Sequence, residues 1–292
     1  MSNPRNFSTL SNDDWVTFIS GIEEGISTIK ESQDRSSDAS STGHDAILAD
    51  SINSFIDHTQ LKTDATLSQI DQLGEEAKEY SFKTVCVRLD HVARCVAALK
   101  DTSVGVACVI GFHEGTHPTA SKVAEARSAL QAGASELDIV LNYPLLLSDV
   151  PQYSSAYSEL RELREEAGSR AVLKLIIETS QLDRHQIIAA CALAHAAEFN
   201  FVKTSTGFKG HGATTEDVRL MRSVVGFLDQ REAKGRVTTV KASGGIRTWE
   251  DALAMVTAGA TRIGASSGVA IVKEAQGKTA RVKDLTDRSG GY

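Results

Sequence analysis

Short apolar, β-branched runs alternate with longer amphipathic stretches along most of this 292-residue chain. The runs predict strands over Ser54–Asp57, Thr84–Arg88, Gly105–Ile110, Glu136–Leu141, Val172–Ile177, Phe201–Lys203, Val237–Lys241 and Thr261–Ile263. Helical spacing predicts helices over Leu67–Tyr80, His91–Lys100, Thr119–Ala132, Gln152–Ala167, Arg184–Ala197, Thr215–Gln230, Thr248–Ala258 and Ser267–Glu274. Strand–helix units in such strict succession favour a (β/α)8 TIM barrel, an α/β fold, over an open doubly wound sheet.

Ahead of the barrel, Asp13–Lys30 places Trp15, Phe18, Ile19, Ile22, Ile26 and Ile29 on one helical face. Its acids, Asp13, Asp14, Glu23 and Glu24, argue against an organellar transit peptide and for an added helix. Glu31–Gly43 is rich in Ser, Asp, Gln and Thr and has little to bury, so it reads as a linker. The expected organisation is an N-terminal helix and flexible linker over 1–43, the barrel over 44–275 and a flexible C-terminal tail over 276–292.

Composition narrows the function. A net charge of -7 gives no basic field for nucleic acid or an anionic membrane, so any phosphate must be bound locally. Absence of an 18-residue apolar run or an apolar signal core predicts neither spanning nor secretion. Cys86, Cys95, Cys108 and Cys191 form no C-x-x-C pair and sit in apolar or helical runs, which suits reduced packing thiols in the cytoplasm.

Two lysines carry the chemistry. Lys203 and Lys241 each close an apolar run and open onto a loop, Thr204-Ser205-Thr206-Gly207 and Ala242-Ser243-Gly244-Gly245. A second cation nearby and partial desolvation both disfavour an ammonium, leaving free amine to attack a carbonyl. Gly244-Gly245 after strand seven and Gly264-Ala265-Ser266-Ser267-Gly268 after strand eight suit an anion, because glycine lets backbone N–H groups approach it and a helix N-terminus favours it. Barrels bind phosphate at this place. Tight turns alone would also explain either loop.

The stretches Ile56-Asp57-His58-Thr59-Gln60-Leu61-Lys62, Glu136-Leu137-Asp138-Ile139-Val140, Leu173-Lys174-Leu175-Ile176-Ile177-Glu178-Thr179, Val202 to Phe208 and Lys241 to Arg247 resemble the deoxyribose-phosphate aldolase family, in register from about Ser51 to Lys273. The resemblance implies a metal-independent class I aldolase that reversibly cleaves 2-deoxy-D-ribose 5-phosphate to acetaldehyde and D-glyceraldehyde 3-phosphate in deoxyribonucleotide catabolism. It implies Lys203 as the Schiff-base lysine and Lys241 and Asp138 as proton handlers; the loop reading places Gly207, Gly244, Gly245, Ser266 and Ser267 around the phosphate. No cofactor and no metal are implied; the partner is a small phosphorylated sugar, with homo-oligomerisation left open. A flexible tail ending in tyrosine belongs to the pattern, so either Tyr292 closes over the site to help move a proton or it is a plain chain end.

Other readings remain beside it. Asp138 could pair with Lys174, and Asp57 and Thr59 could bind substrate hydroxyls or make a turn. A phosphosugar isomerase would use the same phosphate loops but needs a glutamate base. His113-Glu114-Gly115-Thr116-His117 fits H-E-x-x-H, yet Gly111, Gly115 and Pro118 predict a loop where a zinc site requires a helix. Three departures from the family stand out. The first fifty residues have no counterpart in the minimal barrel, Phe208 precedes Lys209 where some members carry a phosphate-holding lysine, and Val87–His91 lacks the commoner proline.

Overall fold

The computed structural model describes residues 6–33, 48–232 and 237–277. Eight parallel strands close into a barrel in chain order, with β1 (Ile56–Thr59) pairing β2 (Thr84–Val87) on one side and β8 (Arg262–Ala265) on the other. Between them stand β3 (Gly105–Ile110), β4 (Glu136–Val140), β5 (Val172–Ile176), β6 (Phe201–Lys203) and β7 (Thr239–Ser243).

Helix α1 (Asn12–Gln33) precedes the barrel, and the outer ring runs α2 (Leu67–Glu79), α3 (Leu89–Ala98), α4 (Thr119–Gln131), α5 (Tyr153–Ala167), α6 (Arg184–Ala196), α7 (Thr215–Glu232), α8 (Trp249–Thr257) and α9 (268–277). Local chemistry sets the helix starts. Thr66 with Gln69, Asp183 with Gln186, and Thr248 with Asp251 each form a reciprocal capping box that satisfies otherwise orphaned N–H groups.

Outward strand residues such as Leu137, Ile139, Leu173, Leu175, Val202, Val240 and Ala242 join one apolar cluster with the helices. Every residue of α6 from Ile187 to Ala196 is buried, which a barrel helix facing water on one side does not permit. Helix α1 supplies the cover, packing on α5, α6 and α7 with Trp15, Phe18, Ile19, Ile22 and Ile26 buried. Trp15 stacks on Phe7 at 5.6 Å and meets Tyr157 of α5 at 5.1 Å. Burying each such side chain is worth about 1.5–3 kcal/mol, which holds the extension on the barrel.

Several boundaries differ from expectation. The first strand starts at Ile56 because residues 52–55 form a 3-10 turn, so Asp57 lies inside the strand and not in a turn. The seventh starts at Thr239 because Thr238 N–H donates to Asp229 and its hydroxyl donates to the Phe199 carbonyl, tying it away from the ladder. It ends at Ser243, where Ser243 still pairs with Gly264, so Lys241 sits mid-strand and does not close it. Helix α1 runs through Glu31 to Gln33, into the expected linker. The side chain of Ile29, most of that linker, and the tail with Tyr292 lie outside the described residues.

Candidate active site

Period-two alternation turns every second strand residue into the barrel. In most barrels that interior is filled with branched apolar side chains. Here only one side is apolar, with Cys86, Ala107 and Val109 packed on Leu61 and Phe112. The rest holds Asp57, Glu136, Asp138, Lys174, Lys203, Lys241 and Arg262, all buried.

These charges are paired closely. Register places Lys203 of β6 beside Lys241 of β7, and Asp138 of β4 beside Lys174 of β5. Lys203 Nζ and Lys241 Nζ both donate to Asp138 Oδ2 at 2.7 Å, while Lys174 Nζ donates to Asp138 Oδ1 at 2.6 Å. Lys241 also reaches Asp57 Oδ2, and Arg262 donates to Asp57 Oδ1 at 2.7 Å and to Glu136 Oε2 at 2.9 Å. Lys174 completes the network on Glu136 Oε2.

Their ionisation follows from this sharing. Burial alone would raise the Asp57 carboxyl, but Lys241, Lys174 and Arg262 hold it well below the usual carboxylate range. Asp138 is likewise held low, against its desolvation, by Lys174, Lys203 and Lys241. Lys174 and Lys241 are desolvated too, yet their carboxylate neighbours push both above the ordinary ammonium value. Lys203 goes the other way. Burial lowers it first, Asp138 pulls it up, and Lys241 pushes it down again, leaving it below the ordinary value. The physical reason is that Asp138 is already shared with two other ammonium groups. Cys86 lies 3.9 Å from Asp138 Oδ2, and its thiol is raised by burial, as suits a packing residue.

Above the amines, loops lock together. Thr204 Oγ1 donates to the Ser243 carbonyl at 3.0 Å, and Ser243 Oγ donates to the Ser205 carbonyl at 2.6 Å. Glu178, buried after β5, accepts from the Thr206 hydroxyl and N–H. Gly207 and Gly244 both take positive φ (84° and 88°). A Cβ on Gly212 would sit 2.1 Å from the Gly244 carbonyl oxygen, so only glycine permits that approach.

The loops enclose a cavity of about 300 Å3 with Lys203 at its base, lined by Gly207, Gly244, Gly245, Gly264 and Ser266 and also by Lys62 and Arg247. Ser267 is not in its lining and stands directly before α9. The two lysines, Asp138 and most of the expected phosphate loop are thus brought together.

Two expectations change. Lys209 is turned away from this cavity, with its ammonium on Glu114 and on the Tyr143 hydroxyl at 2.8 Å. Asp57 is neither a turn residue nor exposed to substrate hydroxyls, being fully buried between Lys241 and Arg262. Residues 113–117 form the expected loop. The Gly115 N–H donates to the Gly111 carbonyl at 2.9 Å, and His113 stacks on Phe208 at 5.2 Å. Among the described residues no group of three or more His, Cys, Asp or Glu could hold a metal ion. No described helix is long and apolar enough to cross a membrane.

Sequence reading missed Glu136, Arg262, Lys62 and Arg247 as parts of this region. The signal for the first two was available: a charged residue at inward parity within an apolar run, Glu136 before Leu137 and Arg262 before Ile263.

Known proteins resemble this chain over most of its length. Residues 52–276 match the DeoC/LacD family aldolase profile. A Coccidioides immitis protein named deoxyribose-phosphate aldolase is 55% identical over 77% of this chain and 80% of its own. Deoxyribose-phosphate aldolase 1 of Oceanobacillus iheyensis is 48% identical over 76% and 96%. A C. immitis crystal structure provisionally assigned to the same enzyme superposes with a TM-score of 0.80 at 46% identity, covering 92% of this chain and 100% of that one. That coverage reaches beyond the barrel into the N-terminal extension. The tetrameric deoxyribose phosphate aldolase of Aeropyrum pernix matches with a TM-score of 0.69 at 30% identity, over 77% and 91%.

Proposed function

Because the chain belongs to the DeoC/LacD family of aldolases, we propose that it reversibly cleaves 2-deoxy-D-ribose 5-phosphate to acetaldehyde and D-glyceraldehyde 3-phosphate through an imine on Lys203. The observation that carries this reading is the Lys203 amine itself. It is buried in the cavity lining, its proton is disfavoured, and among the described residues its ion-pair partner is a carboxylate shared with Lys174 and Lys241.

The neutral amine attacks C1 of the open-chain sugar, and loss of water gives a protonated imine. The C3 hydroxyl then gives up its proton and the C2–C3 bond breaks. Its electron pair moves into a C1–C2 enamine, and glyceraldehyde 3-phosphate leaves. Protonation at C2 and hydrolysis of the imine release acetaldehyde and restore Lys203. Asp138, 2.7 Å from both amines, is suited to accept and relay the C3 proton through water or Lys241. Lys241 also supplies the positive field against a second charge on Lys203.

Phosphate would lie against the N–H groups of Gly207, Gly244 and Gly245 and the Ser266 and Ser267 hydroxyls, as helix N-termini and glycine loops bind anions. Lys62 and Arg247 on the cavity rim support that polarity. Metal is not required in this scheme, since the imine is the electron sink. The reading includes a cytoplasmic role in deoxyribonucleotide breakdown and a homo-oligomer, for which the A. pernix tetramer is the support.

The test is reductive trapping. Acetaldehyde with borohydride should leave a stable adduct on Lys203, located by peptide mass mapping, and EDTA should leave turnover intact. An active preparation that yields no adduct would overturn the covalent mechanism.

A further inference from the structure

The buried charges form a closed ring. Arg262 contacts Asp57 and Glu136, Asp57 contacts Lys241, Lys241 contacts Asp138, Asp138 contacts Lys174, and Lys174 returns to Glu136. Cation and anion alternate around it, each member touches at least two opposite charges, and Lys174 Nζ also lies 3.5 Å from Asp57 Oδ2 across the ring. The ring is neutral with Arg262, Lys174 and Lys241 all protonated. Lys203 stands outside it as a fourth basic side chain, held among the described residues on Asp138 Oδ2, an oxygen Lys241 already uses.

Glu136 and Arg262 close this ring at the end of the barrel away from the cavity, and neither lines the cavity. Arg262 cannot give up its proton in a protein, so its charge inside the barrel is permanent. Without Arg262, three carboxylates would face two ring lysines, and Lys203 would be the missing third cation. Without Glu136, the ring would carry an excess cation, and a proton on Lys203 would be less favourable still.

We infer that Glu136 and Arg262 are positioning residues which, by closing a neutral ring through Asp57 and Lys174, leave the Lys203 amine uncharged and ready to attack. This rests on the imine reading above. The groups facing Lys203 are Asp138 from β4, Lys241 from β7, Cys86 from β2 and Glu178 after β5. Lys174, Asp57, Glu136 and Arg262 act on it through that first set. Glu178 is engaged by Thr206, so the ring is the part of this environment whose charge these two residues set.

The experiment measures the rate of adduct formation on Lys203 with acetaldehyde and cyanoborohydride as a function of pH in the full chain. Arg262→Gln should move the midpoint up, and Glu136→Gln should move it down. Each shift should be about one pH unit, as expected for one charge at barrel-interior range in an effective dielectric near 20. The double variant Glu136→Gln/Arg262→Gln removes one charge of each sign and should return the midpoint to the wild-type position.

Arg262→Lys and Glu136→Asp keep the charges, so they should leave the midpoint in place even where turnover falls. Opposite shifts with recovery in the double variant support the inference. Folded single variants that trap more slowly at an unmoved midpoint would reduce the pair to packing and overturn it. Should one single variant fail to fold, a double variant displaced from wild type overturns the charge balance, and a wild-type midpoint beside one shifted single variant supports it. Wild-type protein giving no adduct at any pH would defeat the imine reading itself, a result distinct from adducts with unmoved midpoints.

Discussion

The same strands bury two surfaces of opposite chemistry. Leu173 and Leu175 of β5 face the helices while Lys174 between them faces the axis, and Val240 and Ala242 of β7 flank Lys241 in the same way. Both surfaces are buried. The outer layer is held by area removed from water, which is non-directional and tolerates substitution of similar volume. The barrel interior is held by named pairs, each of which leaves a buried charge if its partner is lost. Stability and chemistry should therefore separate by face, and Lys203, paired to the ring by a single shared oxygen, should be the clearest interior position at which removal costs chemistry alone.

The largest effect is expected for Lys203→Met. Turnover should fall by about 10^4-fold or more, as for loss of a covalent nucleophile. The melting temperature should hold or rise, because the neutral ring keeps its partners; a cooperative loss of structure would show that Lys203 belongs to the stabilising network. Asp138→Asn probes the place where the two faces stop being separable. It should lower kcat by about 10^2–10^4-fold as a lost proton acceptor. It should also cost about 3–5 kcal/mol in denaturant unfolding, since Lys174 and Lys241 lose a buried counter-charge.

On the outer face, Leu160→Ala in α5 should cost about 2–5 kcal/mol of stability by cavity formation while kcat stays near wild type. A comparable loss of kcat would break the separation.

Titration sharpens the comparison next. Asp57 and Asp138 are held below their unfolded values, so their contribution is full above about pH 4 and is lost as pH falls through the acid range. Lys174 and Lys241 are held above theirs, so their contribution is full below about pH 10.4 and is lost as pH rises past it. Lys203 has the opposite sign. Its native value is depressed, so the unfolded chain binds its proton more readily, and stability rises with pH between the native value and about pH 10.4. Denaturant midpoints measured across pH should show both losses, and Lys203→Met should remove the rising limb. Leu160→Ala should displace the whole curve without changing its shape.

The smallest effect is expected for Lys209→Ala. Its ammonium is engaged by Glu114 and Tyr143 at the surface, a type of pair worth about 1 kcal/mol or less. Steady-state kinetics should show a modest rise in KM with kcat nearly unchanged, while Arg247→Ala, on the cavity rim, should raise KM more. The reverse order would return Lys209 to the phosphate site.

The sequence by itself determined the barrel and the order of its units, and it singled out Lys203, Lys241 and Asp138 as candidates that the fold brings within hydrogen-bond distance. Period-two and helical spacing are local properties, and lysines opening onto glycine loops are visible without long-range contacts. The two-residue shift of β7 was not visible, because Thr238 is drawn off by Asp229 and Phe199, and Ser243 is retained by Gly264 from another unit. Only the tertiary structure decided that Asp57, from the first strand, is the counter-ion of Lys241 and Arg262, near the other end of the chain. Only it joined Glu136 and Arg262 into the ring. Barrel closure brings β1 against β8, and a charge can be assigned a partner only when the register of every intervening strand is fixed; that cumulative registration is a property of the closed sheet, which no stretch of sequence holds alone.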